Sequence, residues 1–219
     1  MTQQPHRFYL KQQTLWLSPE RCLFWEEDKS LIISDIHLGK SGHFRKAGIG
    51  IPQAVFKEDL QRLIAQVQFF KPERLIVVGD FSHSNLNNEL KLFERWRRDL
   101  SQLPIHLVKG NHDILGNDWY SSYDITIHDE QLHTTPFTFM HELPVTTFTE
   151  DEYIFTGHVH PGIRIGGLGK QSLQFPCFYF GGQHAVLPAF GRFTGLYPVK
   201  PKKLDKVFAI ADKKVLELQ

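Results

Sequence analysis

The sequence predicts a mixed α/β sandwich, on three observations. Short apolar runs rich in β-branched residues alternate with helical patterns as far as Lys109. Beyond residue 120 only strand patterns remain, punctuated by Gly and Pro. Hydrophobic residues make up 41% of the 219 and charged ones 22%, enough apolar surface for a sizeable core and too little charge for disorder. No internal repeat, low-complexity tract or linker divides the chain, so one domain over residues 1–219 is expected.

Leu31-Ile32-Ile33-Ser34-Asp35 reads as the first buried strand. Pro52 opens a helix, in which Val55, Phe56, Leu60, Leu63, Ile64 and Val67 recur at helical spacing, and Pro72 lies past its end. Arg74 to Asp80 is a second buried strand. Residues 88–100 form a second helix, with Leu92, Phe93, Trp96 and Leu100 on one face and Lys91, Arg95, Arg97 and Arg98 on the exposed one. Ile105 to Lys109 is a third strand. This β–α–β–α–β run predicts parallel strands joined by crossover helices. Phe137–Met140, Tyr153–Thr156, Cys177–Phe180 and Val207–Ala211 read as later strands. Gly166-Gly167-Leu168-Gly169-Lys170 lacks the strand–helix context of a phosphate loop and reads as a hairpin turn. Phe178-Tyr179-Phe180, Trp16 and Trp25 read as core.

Composition excludes several functions. A net charge of +1 argues against a polycationic nucleic-acid binder and leaves room for a local basic patch. Two cysteines, Cys22 and Cys177, exclude a disulfide framework and a thiolate zinc finger. Polar residues interrupt Met1–Leu17, so no secretory segment is expected. The longest apolar run is five residues, too short to span a bilayer. A cytoplasmic protein without membrane contact is expected. Histidine is abundant, at 12 residues, and it is both the commonest metal ligand and the usual acid–base group near neutral pH.

The histidines concentrate where predicted strands end. The first strand ends Asp35-Ile36-His37, the second Gly79-Asp80, the third Gly110-Asn111-His112-Asp113, and a later one Gly157-His158-Val159-His160. Ligand sites in open α/β sheets collect beyond the carboxyl ends of strands, so four such ends should converge. Residues i and i+2 of extended chain point the same way, so each pair, Asp35/His37 and His158/His160, is expected to face one site. The glycines are expected where the chain turns sharply. Taken singly, Asp35 or Gly79-Asp80 could be turn chemistry. Asn-His-Asp after a buried strand has no evident folding role, and the ordered set of four points to a site. Carboxylate, amide and imidazole donors without thiolate favour hard or borderline divalent ions such as Mn, Fe or Zn.

The ordered set D-x-H, G-D, G-N-H-D, H, G-H-x-H resembles the calcineurin-like metallophosphoesterases, over residues 31–160 by motif. The runs Asp35-Ile36-His37-Leu38-Gly39-Lys40, His158-Val159-His160-Pro161 and Leu187-Pro188-Ala189-Phe190-Gly191-Arg192-Phe193-Thr194-Gly195 are similar to the bacterial ligase-associated DNA damage response endonucleases. The resemblance implies an αββα sandwich carrying two divalent ions, Mn first, with Fe, Zn or Ni as alternatives. It implies that Asp35, His37, Asp80 and His160 hold one ion, and that Asp80, Asn111, His141 and His158 hold the other, with Asp80 bridging. His112 would stand beside the phosphate and Asp113 would orient it. A water or hydroxide between the ions would be the nucleophile, with His112 assisting the leaving group. A phosphodiesterase follows, with DNA as substrate in repair and an ATP-dependent DNA ligase and an exonuclease as partners. A phosphohydrolase of small nucleotides or phosphomonoesters is the alternative. A noncatalytic scaffold fits less well, because every expected ligand and His112 are present.

Departures narrow the substrate. Protein serine/threonine phosphatases of this superfamily carry Asp-Arg-Gly shortly after the G-D, whereas here Phe81-Ser82-His83-Ser84 follows, which disfavours phosphoproteins. His83 is an extra imidazole close to Asp80. With Lys40, His43, Arg45 and Arg164 it forms the set of candidate substrate contacts, and Lys46 adds to the basic loop after the first motif. Lys200, Lys202, Lys203 and Lys206 read as a solubilising patch.

Overall fold

The computed structural model describes residues 4–40, 54–83, 88–144, 152–167 and 171–218. Its first sheet opens with an antiparallel meander, β1 (His6–Leu10), β2 (Gln13–Leu17), β3 (Leu23–Trp25) and β4 (Ser30–Ser34). From β4 the sheet continues in parallel through β5 (Arg74–Val78), β6 (Ile105–Val108) and β7 (Ile125–His128). Helices α1 (Ala54–Phe70), α2 (Asn88–Asp99) and α3 (Asn117–Ser121) lie in the connections between those strands. This is the expected β–α–β–α–β run, with the meander added before it.

The second sheet follows the order β14-β11-β12-β13-β10-β9-β8. Its strands are β8 (Gln131–Thr134), β9 (Phe137–Met140), β10 (Tyr153–Thr156), β11 (Pro161–Gly166), β12 (Ser172–Phe180), β13 (His184–Val186) and β14 (Tyr197–Pro198). The hairpin of β15 (Lys206–Ala211) and β16 (Lys214–Glu217) joins through β12. Strands β9, β10 and β13 are parallel and the others mostly antiparallel, so both sheets are mixed. Gly166 pairs with Ser172 where antiparallel β11 and β12 meet, and Leu168-Gly169-Lys170 of the expected turn lie outside the described residues.

Two cores explain why the central strands read as unbroken apolar runs. Leu31, Ile33, Leu75, Val77 and Leu107 face the helices, against Leu60, Leu63, Phe93 and Trp96. Ile32, Ile76, Val78 and Val108 point the other way, into Phe137, Phe139, Phe155, Phe178 and Phe208 of the second sheet. A strand covered on both faces has no polar side to alternate with. Each such side chain contributes about 1.5–3 kcal/mol over leaving it exposed. Trp25 lies in this second core, whereas Trp16 is half-buried and donates its indole N–H to Glu26 Oε2 at 2.6 Å. Cys22 and Cys177 are buried free thiols whose pKa burial pushes up to about 12.

Arg97 departs from its expected place on an exposed helix face. It is buried, and its Nε donates to Tyr123 O at 2.8 Å, closing the end of α2 over the turn before β7. Lys91, Arg95 and Arg98 are exposed as expected. No helix among the described residues is long and apolar enough to cross a membrane.

Candidate metal centre

The site lies where the carboxyl ends of β4, β5 and β6 meet those of β9 and β10. Beyond β4 and β5 the two loops run side by side. Asp35 N–H donates to Gly79 O (3.2 Å), His37 N–H to Asp80 O (2.9 Å), Leu38 N–H to Phe81 O (2.8 Å) and His83 N–H to Leu38 O (2.9 Å). This ladder turns two local motifs into one rigid floor.

The backbone there is not extended. Asp35, His37, Asp80, His158 and His160 all take positive φ, at 48°, 53°, 41°, 63° and 51°. The i, i+2 alternation expected of extended chain is therefore not what aims these side chains. They are aimed by left-handed turns, which cost about 1–3 kcal/mol each and persist only when the surroundings over-determine them. Asp and His tolerate this region better than β-branched residues do.

The glycines before the motifs also have a reason beyond the sharp turn expected of them. Gly79 does turn, at φ 77°, but a Cβ there would also lie 1.7 Å from His141 Nδ1. Gly110 has no such φ. Its missing Cβ makes room for Asp80, whose Oδ1 would otherwise be 2.2 Å away. Gly79→Ala is therefore expected to displace His141, lowering phosphoesterase activity at least about 10-fold, as loss of a supporting contact to a metal site commonly does. Near-normal turnover in a folded Gly79→Ala protein would show that the His141 position is dispensable.

The side chains gather into two donor clusters, Asp35–His37–His160 and Asp80–His141–His158, with the donor atoms of each within 4.8 Å of one another. His37 Nε2 is 3.3 Å from His160 Nε2, and His160 Nε2 is 3.7 Å from Asp35 Oδ1. In the second cluster His141 Nε2 is 3.0 Å from His158 Nδ1, 3.0 Å from Asn111 Oδ1 and 3.6 Å from Asp80 Oδ1. Asp80 reaches both, because its Oδ2 is 3.8 Å from His37 Nε2. His158 N–H binds the Asp35 carboxylate at 3.1 and 3.2 Å, which ties the two sheets together at the site.

Imidazole nitrogens, carboxylates and an amide oxygen here point their lone pairs at shared space. A divalent cation satisfies such a set, and the residues fit one. Burial of His37, followed by the nearby Lys40 ammonium and the neighbouring imidazoles, holds its pKa far below the ordinary histidine range. His37 is thus neutral at pH 7, the form that ligates. The Lys40 pKa is lowered by burial and supported by Asp80 and Asp35, which puts its charge beside both carboxylates.

His112 is anchored by its backbone, whose N–H donates to Asp80 Oδ1 at 3.0 Å. Its ring lies 4.2 Å from that of His83 and 5.7 Å from that of His37. His83 Nδ1 is in turn 3.2 Å from His37 Nδ1, so the extra imidazole does belong to the site. Arg164 does not reach it by any described contact. It is exposed on β11, opposite Gln174. His43, Arg45 and Lys46 lie outside the described residues.

The Asp113 carboxylate, expected to orient His112, has no described hydrogen bond to the His112 ring. It accepts from Gly110 N–H (2.9 Å), Phe81 N–H (3.2 Å), Ser82 N–H (2.7 Å), Ser82 Oγ (3.1 Å) and Tyr120 OH (3.3 Å). Burial raises its pKa and the backbone donors oppose that rise. Asp113 thus staples the loop after β5 to the loop after β6, and Ser82 and Tyr120 share the task. Neither residue carried a sequence signal for this role, because the contacts form only when the loops meet.

Paired Asp/His clusters of this kind, at the strand ends of two packed mixed sheets, suit a metal-dependent phosphoesterase. Residues 29–164 match the calcineurin-like phosphoesterase family, and the chain belongs to it. The crystal structure of Pseudomonas putida nuclease MPE superposes with a TM-score of 0.82 at 29% identity, over 98% of this chain and 100% of that one. A phosphoesterase of E. coli, Yfce, is 14% identical over 85% of this chain and 95% of its own, with a TM-score of 0.47. The curated proteins hold no match.

Proposed function

We propose that the protein is a binuclear metal-dependent phosphodiesterase that cleaves DNA, acting as a nuclease in repair. The whole-length likeness to a nuclease carries this reading, together with the paired donor clusters. Asp35, His37, Asp80 and His160 would hold one divalent ion, and Asp80, Asn111, His141 and His158 the other, with Mn as the resident metal. Such ions supply an acidified water and charge neutralisation at a phosphoryl group.

The chain's own residues do the rest. Asp80, between the clusters, fixes their separation. The His112 imidazole, placed by the Asp80 contact and packed against His83, delivers a proton to the departing oxygen. Asp113 holds the two loops in register so that this ring stays over the clusters. Lys40 adds positive charge where a phosphate arrives. The resemblance to the ligase-associated endonucleases adds an ATP-dependent DNA ligase and an exonuclease as the partners this reading implies, and a cytoplasmic setting.

A substrate panel with Mn tests the reading. Single-stranded DNA and supercoiled plasmid should be cut, and an aryl phosphodiester should turn over faster than the monoester. Intact DNA beside rapid hydrolysis of a small phosphoester would replace the nuclease with a small-molecule phosphohydrolase.

A further inference from the structure

The run Leu187–Gly195 takes no part in the chemistry above, yet its backbone continues into the site. Ala189 bridges to Ser34, Phe190 N–H donates to Ser34 O at 2.7 Å, and Gly191 N–H donates to Asp35 O at 3.2 Å. Six residues on, Tyr197 N–H donates to His160 O at 2.9 Å. One segment therefore grips the main chain of both Asp35 and His160. These two belong to the same cluster, and both are held in left-handed turns. No described hydrogen bond joins Pro188–Val199 to Asp80, His141 or His158.

The segment is anchored from behind by α1 and its neighbours. The buried Arg62 guanidinium donates to Phe190 O and, at 2.8 Å, to Glu20 O. It pairs with Asp59 Oδ1 at 2.7 Å and lies 4.3 Å over the Phe190 ring. Asp59 Oδ2 accepts Arg192 N–H at 3.2 Å, and Arg21 reaches the Ala189 and Gly191 carbonyls at 3.4 Å. Gly191 admits no side chain, because a Cβ would lie 2.7 Å from Ile36 O. Thus the N–H groups of the segment hold the ligand loop and its carbonyls hold the arginines.

We propose that Pro188–Val199 is a clamp, with Arg62 and Gly191 as its positioning residues, that sets the cation affinity of the Asp35–His37–His160 cluster separately from that of Asp80–His141–His158. Strained turns need outside constraint to persist, and among the described hydrogen bonds this segment gives it to the first cluster. Outer contacts that orient ligands typically govern metal affinity by about 10–100-fold. The clamp rests on the two-ion reading above, and its test separates the two.

Metal-stripped full-length protein is titrated with Mn by equilibrium dialysis, with thermal melting run alongside. Wild type should bind two ions. In Arg62→Met and Gly191→Ala one ion should keep its affinity and the other weaken by about 10–100-fold. Arg62→Lys should recover part of the loss. If Arg62→Met does not fold, Ser34→Ala makes the same test, because it removes only the Ser34 Oγ bond to Pro188 O. A general loss of stability would weaken both ions by one factor, and that result overturns the clamp. So do folded variants that bind both ions as wild type does. A wild type that binds no second ion overturns the two-ion reading, and the clamp with it.

Discussion

Asp80→Asn is expected to abolish phosphoester hydrolysis while the fold survives. The Asp80 carboxylate is buried between the two clusters, with Oδ1 3.6 Å from His141 and Oδ2 3.8 Å from His37. An amide keeps the size and can still accept the His112 N–H, so the backbone loses little. What disappears is the one negative charge that both clusters share. Losing about 4 kcal/mol of charge stabilisation corresponds to roughly 10³-fold in rate. Turnover with Mn and metal content should fall together at an unchanged melting temperature. Activity that persists in Asp80→Asn would mean that the hydrolysis belongs elsewhere, in a second site or a contaminating hydrolase.

His112→Ala should separate catalysis from metal binding. The contact that places residue 112 is made by its main-chain N–H, and alanine retains it. The ring is absent from both three-residue donor clusters. Bound Mn should therefore stay at the wild-type level while kcat for phosphoester hydrolysis drops by about 10²–10⁴-fold, the usual worth of a positioned proton donor. Wild-type cleavage at saturating Mn would remove His112 from the mechanism. A parallel loss of metal would recast it as a structural partner of Asp80.

The two variants probe the parts of the site that were plainest in the sequence. Asp35-Ile36-His37, Gly79-Asp80, Gly110-Asn111-His112-Asp113 and Gly157-His158-Val159-His160 are legible because each is local and each follows a buried strand. His141 was legible only through the resemblance, which implies a ligand between G-N-H-D and G-H-x-H, and the structure sets it beside Asn111 and His158. The N-terminal meander was missed for a physical reason. Its first hairpin turns through Lys11 and Gln12 at φ 48° and 62°, with no Asn-Gly or Gly to mark it. The polar residues of β1 that argued against a secretory segment sit in a strand of alternating exposure. Arg97 was misplaced because helical spacing cannot show that a carbonyl from the next connection waits for it.

The four donor motifs, their order and the class of ion they suit follow from residue type and from strand ends, and the resemblance adds His141 to the set. Spacing along the chain does not divide these donors; contacts across it do, along the lines the resemblance implies. His158 and His160, adjacent but for Val159, go to different clusters, while Asp35 and His160, far apart in the chain, share one. Tertiary structure also decided why Gly79 and Gly110 are glycine, since a ring and a carboxylate from other loops occupy the space of their Cβ atoms. It assigned Asp113 to the loops and brought Gly191 to the carbonyl of Asp35. Periodicity and motif spacing report only along the chain, whereas these contacts are made across it, where local pattern carries no record of the partner.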